Sequence, residues 1–287
     1  QEYILTIDTS AKDINKNSLS QGFSMKFLPE PHFRLLSVTP SNGATEVPPN
    51  ATSGFLRIEF NSEVDSTMYS AVHISPMVLG EWRLEDPTHM YYHLYHDLEL
   101  DKTYTITVDA DALDKYGHTV IQPVTSSFTS QAFQVVETYP QNGEGRISPT
   151  GSIGVRCNAP IDTGSVRSSF SCLPAISGGF VFEERQFYYV PSFEMWTSTS
   201  YKVTLQSTLR SADGAYLTTA YVLRFGTDNF KIVDYFPPHL SNGVSRSTYI
   251  YVMCNARIQQ SSVGTYVSFY PRVSGTLVPC FENTCSG

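Results

Sequence analysis

One six-residue pattern returns twice at a constant interval. Leu56-Arg57-Ile58-Glu59-Phe60-Asn61 recurs as Ile153-Gly154-Val155-Arg156-Cys157-Asn158 and as Ile250-Tyr251-Val252-Met253-Cys254-Asn255, so that Asn61, Asn158 and Asn255 stand 97 residues apart. In each copy apolar side chains take every second position and Arg57, Glu59, Arg156, Tyr251 and Met253 fall between them. That two-residue period is a β-strand with one face toward a core and the other free to meet solvent. A fixed interval of this length predicts tandem domains of one fold, each able to hold its own core, rather than one large domain.

The remaining strands fall into the same frame. Val38-Thr39-Pro40-Ser41-Asn42-Gly43 opens the first whole repeat, and its Pro and Asn-Gly mark the end of a first strand. Alternating runs near 55–60, 70–75, 80–84, 90–95, 103–109 and 124–129 bring the expected number to about seven, that of an immunoglobulin-like sandwich. A second repeat opens at Thr138-Tyr139-Pro140-Gln141-Asn142-Gly143 and closes at Phe225-Gly226-Thr227, and a third opens at Tyr235-Phe236-Pro237. Tyr3-Ile4-Leu5-Thr6-Ile7-Asp8 matches Tyr104-Thr105-Ile106-Thr107-Val108-Asp109 and Tyr201-Lys202-Val203-Thr204-Leu205-Gln206, so the first residues read as the tail of an earlier repeat. The expected organisation is the C-terminal part of one Ig-like repeat over 1–33, whole domains over 34–131 and 132–228, and the N-terminal part of a further repeat over 229–287. The fold class expected is all-β, a tandem of Ig-like β-sandwiches. Linkers as short as Ser130-Gln131-Ala132 and Asp228-Asn229 predict little free swinging between domains.

Composition narrows the partners. With 16% charged and 13% aromatic residues, including 18 Tyr and 17 Phe, the chain favours sheets over helices. A formal net charge of −8 without a basic tract argues against nucleic acid or an anionic membrane surface. No apolar run approaches the roughly 20 residues needed to cross a bilayer, so membrane insertion is not expected. The chain opens at Gln1 without a start Met or signal sequence and is expected to be a processed or excised segment.

The motifs stand in a definite order: Pro-x-Asn-Gly, an apolar strand ending in Asn-x-x-φ-Asp, φ-Ser-x-x-Pro, Gly-x-φ, Tyr-x-φ-x-φ, a turn with Asp and Gly, and Phe-x-Thr. In the second repeat they are Tyr139-Pro140-Gln141-Asn142-Gly143, Val155 through Asp162, Phe170-Ser171-Cys172-Leu173-Pro174, Gly179-Phe180, Tyr201 through Leu205, Asp213-Gly214 and Phe225-Gly226-Thr227. This order resembles the bacterial Ig-like domain of the SbsA type over essentially the whole chain. The resemblance implies an extracellular module of surface-layer proteins, adhesins, envelope proteins and macroglobulin-like chains, usually a spacer without catalytic residues. It supplies no site to carry over. Cys157 and Cys254, where the first repeat has Phe60, depart from that bacterial pattern.

Candidate sites are few. Tyr3, Tyr104 and Tyr201 recur at one position, which predicts a packed ring whose hydroxyl bonds a backbone group rather than a ligand contact. Asp109, Asp111 and Asp114 with Asp65 hold enough carboxylates for calcium, but the second repeat has Gln206 for Asp109, so polar turns are the expectation and no metal is assigned. His89 and His93 share one face of a strand while His96 points away, which suits a Tyr- and His-rich contact edge better than a metal site. Five cysteines show no CxxC pair. Cys157 and Cys172 replace apolar core residues, Phe60 and Ile74, and are the disulfide candidates, expected on neighbouring strands. Cys254, Cys280 and Cys285 compete for one more pair. Asn50-Ala51-Thr52 is an N-glycan acceptor sequence in an exported eukaryotic protein, which makes Asn50 a glycosylation candidate. No Gly-x-Ser-x-Gly, His-Glu-x-x-His or phosphate-binding glycine loop occurs, and neither catalysis nor a cofactor is expected.

The function expected is structural and interactive: a segment of an extracellular or cell-surface Ig-like array or filament, whose partners are neighbouring repeats or head-to-tail copies of itself. An adhesin stalk binding a host protein or glycan is one alternative, and ancillary modules of a larger surface enzyme or protease trap another. The two outer partial repeats are expected to need partners supplying their missing strands.

Overall fold

In the computed structural model, residues 2–28, 32–50, 55–120 and 122–278 are described. They fall into two compact units, spanning 1–131 and 132–287. The first unit begins with a hairpin of β1 (Tyr3–Ile7) and β2 (Phe23–Phe27). A β-sandwich follows, made of β3 (Leu35–Thr39), β4 (Ala44–Val47), β5 (Leu56–Phe60), β6 (Val72–Ser75), β7 (Gly80–Asp86), β8 (His89–Leu94), β9 (Thr103–Val108) and β10 (Val124–Ser130). One sheet has the order β3-β5-β8-β7 and the other β4-β10-β9-β6.

The second unit repeats this plan with β11 (Val135–Tyr139), β12 (Glu144–Ile147), β13 (Ile153–Cys157), the helix α1 (Thr163–Ser169), β14 (Phe170–Leu173), β15 (Gly178–Phe182), β16 (Gln186–Pro191), β17 (Ser200–Leu205) and β18 (Tyr221–Thr227). Its sheets are β11-β13-β16-β15 and β12-β18-β17-β14. Beyond the second sandwich lie the antiparallel pair β19 (Ile232–Phe236) and β20 (Tyr251–Cys254), registered as β3 is with β5, and the helix α2 (Gln260–Tyr266).

Each sandwich has eight strands, not seven. The opening strand breaks at Pro-x-Asn-Gly and changes sheets: β3 pairs with β5, while β4 runs parallel to β10. The Asn-Gly pair makes the switch. Gly43 and Gly143 lie at φ of 79° and 87°, the left-handed region where glycine carries no Cβ penalty. Their N–H groups donate to the Ser127 and Arg224 carbonyls, and the Asn42 and Asn142 side chains accept the Ser127 and Arg224 N–H groups at 2.9 and 2.8 Å.

The alternation read from sequence is the alternation observed. Leu56, Ile58 and Phe60 on β5, Tyr104, Ile106 and Val108 on β9, Ile153, Val155 and Cys157 on β13, and Tyr201, Val203 and Leu205 on β17 are all buried. In the first sandwich these residues from opposite sheets join Phe33 and Phe128 in one core. Fully burying a side chain of this size contributes roughly 1.5–3 kcal/mol.

The Asp that follows the closing Asn has a structural task. Asp65 caps a 3₁₀ turn at Ser66–Ser70 by accepting the Thr67 N–H, and Asp162 caps α1 by accepting the Gly164 N–H. A side-chain oxygen there satisfies a helix N–H that has no partner within the helix. Gln259 stands in the corresponding place before α2 and makes no side-chain cap.

Candidate functional site

The recurring tyrosines are structural anchors in both sandwiches. Tyr104 and Tyr201 are buried and stacked on Phe128 and Phe225, at centroid distances of 5.5 and 5.4 Å. Their hydroxyls accept the N–H of Glu99 at 2.9 Å and of Trp196 at 2.8 Å, each five residues upstream. Tyr3 makes the same stack on Phe27, at 5.6 Å, in the same register.

The four aspartates do not converge. Asp65 is the cap just described, and Asp109 faces His73 at 2.9 Å. Asp114 is buried and accepts from Ser62 Oγ, from the N–H groups of Tyr116 and His118, and shares a contact with His118 Nδ1. Burial acts to raise its pKa, but these hydrogen bonds, led by His118, hold the carboxyl below the usual range. His89 lies against Asp86 and Thr88, and the His89 ring, then the Thr88 N–H, bring Asp86 down to about 2. His93 packs edge-on against Tyr95 at 5.5 Å. Among the described residues no three His, Cys, Asp or Glu gather as metal ligands.

The expected bridge between Cys157 and Cys172 is corrected by the structure. Both are free thiols, and they stand on opposite sheets rather than on neighbouring strands, Cys157 on β13 and Cys172 on β14. Cys172 packs against the cluster of Ile153, Tyr189 and Val203. Cys157 ends β13 four residues beyond Ile153, roughly 13 Å along the strand. Burial pushes the thiols up to about 12 and about 11, so both behave as apolar packing. Cys254 is also free. Cys280 and Cys285 lie outside the described residues. Asn50 is exposed in the turn after β4, and the rest of its acceptor sequence lies outside the described residues.

What sequence reasoning missed is the task of the closing Asn. Asn61 Oδ1 accepts the Arg34 N–H at 2.8 Å, and its Nδ2 donates to the His32 carbonyl at 2.9 Å. Asn158 binds Gln134 N–H and the Ala132 carbonyl in the same way, at 3.0 and 2.8 Å, and Asn255 binds Lys231 N–H and the Asn229 carbonyl, at 2.9 and 2.8 Å. One amide thus satisfies both a donor and an acceptor of the chain entering each repeat. The linker is fixed to the sheet that follows it. Position 97n signalled this residue, but only coordinates reveal a partner some 26 residues upstream.

The outer repeats present open faces. Val155 is 2% exposed and its counterpart Val252 51%, and Phe33 and Phe133 are 2% and 1% exposed where Phe230 is 52%. On the hairpin, Tyr3, Leu5, Ile7, Met25 and Phe27 are each exposed by 40–48%, although their counterparts are buried in the sandwiches.

Residues 30–130 and 129–227 each match the sequence profile of the bacterial Ig-like domain. The chain belongs to that family. Bacterial Ig-like domains are non-catalytic. No curated protein matches the chain. An L,D-transpeptidase from Mycobacterium smegmatis is similar in part, with 13% identity, a TM-score of 0.29, and coverage of 68% of this chain and 76% of that one. So is the N-terminal part of the bacterial S-layer protein SbsC, with 15% identity, a TM-score of 0.27, and coverage of 68% of this chain and 44% of that one. At these scores neither likeness bears on activity.

The second bacterial Ig-like domain also borders a surface cleft of about 600 Å³. Phe193, Trp196 and Phe230 line it, with Arg257 over the Phe193 ring at 4.9 Å and paired to Glu194 at 3.0 Å. No helix among the described residues is long and apolar enough to cross a membrane.

Proposed function

We propose that the chain is a non-catalytic structural segment of a surface-displayed array of Ig-like domains, of the SbsA-type motif order, which spaces and connects rather than transforming a substrate. The observation that carries this reading is the Asn61, Asn158 and Asn255 staple at the start of each repeat. A linker hydrogen-bonded into the following sheet orders two backbone groups per repeat, and the recurrence of that bond suits a chain built of repeated structural domains. The net charge of −8, without a basic tract in the sequence, and the exposed aromatic rings favour protein neighbours over nucleic acid.

Antibodies raised against the two whole domains, applied to intact source cells, test the surface assignment. Labelling without permeabilisation is the expected result. Labelling that requires permeabilisation overturns it.

A second reading, an adhesin stalk that grips a glycan, draws on the cleft beside Trp196. That ring is two-thirds exposed and has a polar rim in Arg257, Glu194 and Gln259. Exposed aromatic faces bordered by polar groups suit a sugar ring. Saturable binding on a glycan array, abolished by Trp196→Ala, would establish that reading, and a blank array removes it.

A further inference from the structure

Each whole sandwich ends one sheet on an equivalent strand, and the two ends differ. β7 and β15 are the last strands of their sheets, with Gly80 and Leu84 of the first answering to Gly178 and Phe182 of the second, 98 residues on. An edge strand offers unpaired N–H and C=O groups, and proteins guard such edges with charge or cover. β7 is guarded twice. Glu81 and Arg83 stand exposed and ion-paired along it, and the Tyr69 hydroxyl accepts the Leu84 N–H at 3.0 Å.

β15 has neither guard. Gly179 and Val181 stand where Glu81 and Arg83 do, and no charged residue falls between Pro174 and Phe182. Arg167 stands where Tyr69 does. A guanidinium carries donors only, so it cannot accept the Phe182 N–H as the hydroxyl accepts that of Leu84. It lies instead over the Phe180 and Phe182 rings, at 5.6 and 5.3 Å. Backbone alternation shows which groups are open. The Ser177 carbonyl accepts the Ser192 N–H and the Glu183 N–H donates to the Gln186 carbonyl, so Gly179 and Val181 between them also turn toward β16. Gly178, Phe180 and Phe182 turn their N–H and C=O groups the other way, where no strand of the described residues lies.

We propose that β15 pairs antiparallel with β15 of a second copy of this chain across a two-fold axis, joining the two sheets side by side. With Phe180 opposite Phe180, the open groups of Gly178, Phe180 and Phe182 meet those of Phe182, Phe180 and Gly178 as hydrogen-bonded pairs. Gly178 then faces Phe182 and Gly179 faces Val181, so a residue without a side chain meets each larger one. Like charges stay apart in this register, because Glu183 and Glu184 of one copy fall beside Ser177 and Ile176 of the other. Setting Phe182 opposite Phe182 would press Glu184 against Phe180. A five-residue edge buries far less than the roughly 1,200–2,000 Å² of a stable interface, so one contact is weak and repetition supplies the strength. That favours copies of the chain displayed side by side over a solitary peptide. This contact presupposes the surface array proposed above but fails separately from it: display is judged on cells and the contact on purified protein. Both strands belong to a whole sandwich, so neither outer repeat takes part.

The test is amide hydrogen exchange on the 287-residue chain at rising concentration. The Gly178, Phe180 and Phe182 amides should slow at least about threefold as concentration rises about a hundredfold, to about 1 mM, while the Gly179 and Val181 amides, already turned to β16, should not change. Val181 is half exposed, so Val181→Lys and Val181→Glu leave the monomer folded, which continued protection of the Gly179 amide verifies. Two-fold pairing makes position 181 of the two copies diagonal neighbours on one face, about 7–8 Å apart. Each variant alone should lose the concentration dependence through like-charge repulsion, and an equal mixture of the two should regain it. Outward amides that ignore concentration in the unmodified chain, slowing that persists in either variant alone, slowing confined to β1, β2, β19 or β20, or a mixture that fails to recover would each overturn the proposal.

Discussion

Phe128 and Phe27 occupy the same position of the same strand pair, stacked on Tyr104 and Tyr3 in the same register, yet one is a core residue and the other is half exposed. The hairpin alone gives both their local geometry. What separates them is a second sheet, which covers Phe128 and leaves Phe27 open. The geometry of this strand pair is therefore specified within a few dozen residues, while its burial, and with it most of its stability, comes from strands that lie a whole half-domain away. A two-stranded ribbon without such a cover is marginal in water.

The difference is widest for the aromatic rings. Phe128→Ala should cost the first sandwich about 3–5 kcal/mol, through lost transfer energy and the cavity left among Phe33, Tyr104 and Ile106. Phe27→Ala, measured on monomeric protein, should cost less than about 0.5 kcal/mol, since it leaves no cavity. Native-state hydrogen exchange over β9 and β10 reads the first loss, and exchange over β1 and β2 the second. Equal losses would mean that the hairpin is already packed as a core.

This contrast also marks what was legible in the sequence. The 97-residue interval located the strands of the first sandwich to within a residue or two and identified the alternating buried positions on β5, β9, β13 and β17, because alternation is a local signal; it missed Gly154, buried between Ile153 and Val155. The count of seven missed the sheet switch at Asn42-Gly43, which depends on a bond to Ser127, far along the chain. Cys157 and Cys172 at core positions turned out buried and half-buried, but the pattern did not show what they face, and the pair lies on opposite sheets as free thiols. The closing Asn was visible three times, but its partners are backbone groups, which carry no sequence signature.

That Asn gives the next test of the comparison. Asn158 is buried and Asn255 is partly exposed, though both make the same two bonds. Asn158→Ala leaves the Gln134 N–H and the Ala132 carbonyl without this partner in a dry setting and should cost about 2–3 kcal/mol. Asn255→Ala lets water replace the amide and should cost below about 1 kcal/mol. Limited proteolysis of the two linkers separates them: cleavage near 132 should rise steeply in Asn158→Ala, and cleavage near 229 only a little in Asn255→Ala. Similar protection in both would show that the staple is dispensable.

Asp114 adds a pH dependence to the first sandwich that the hairpin lacks in buried form. Its folded pKa lies below the unfolded value of about 3.9. Its contribution is therefore fully present above pH 4 and is lost as the pH falls through the folded value. Asp114→Asn should lower stability at pH 7 by about 1–2 kcal/mol, since the acceptor of four contacts loses its charge. Denaturant unfolding should show the gap between wild type and variant narrowing as the pH falls below 4. A constant gap from pH 7 to pH 2 would assign the loss to packing instead.

The smallest effect concerns one hydroxyl. Tyr104 and Tyr3 differ in cover but not in their stacks, so replacing each by Phe isolates the bond from the ring. Tyr104→Phe leaves the Phe128 stack in place and removes the acceptor of the Glu99 N–H, at a cost of about 1 kcal/mol. Tyr3→Phe keeps the Phe27 stack and should change stability by less than about 0.3 kcal/mol in the monomer. Exchange at the Glu99 amide gives the direct reading, because that N–H depends on the Tyr104 oxygen. Its protection should fall several-fold in Tyr104→Phe while the amides of β9 hold theirs. If Glu99 stays protected, the hydroxyl is incidental and the recurrence of tyrosine reflects ring packing alone.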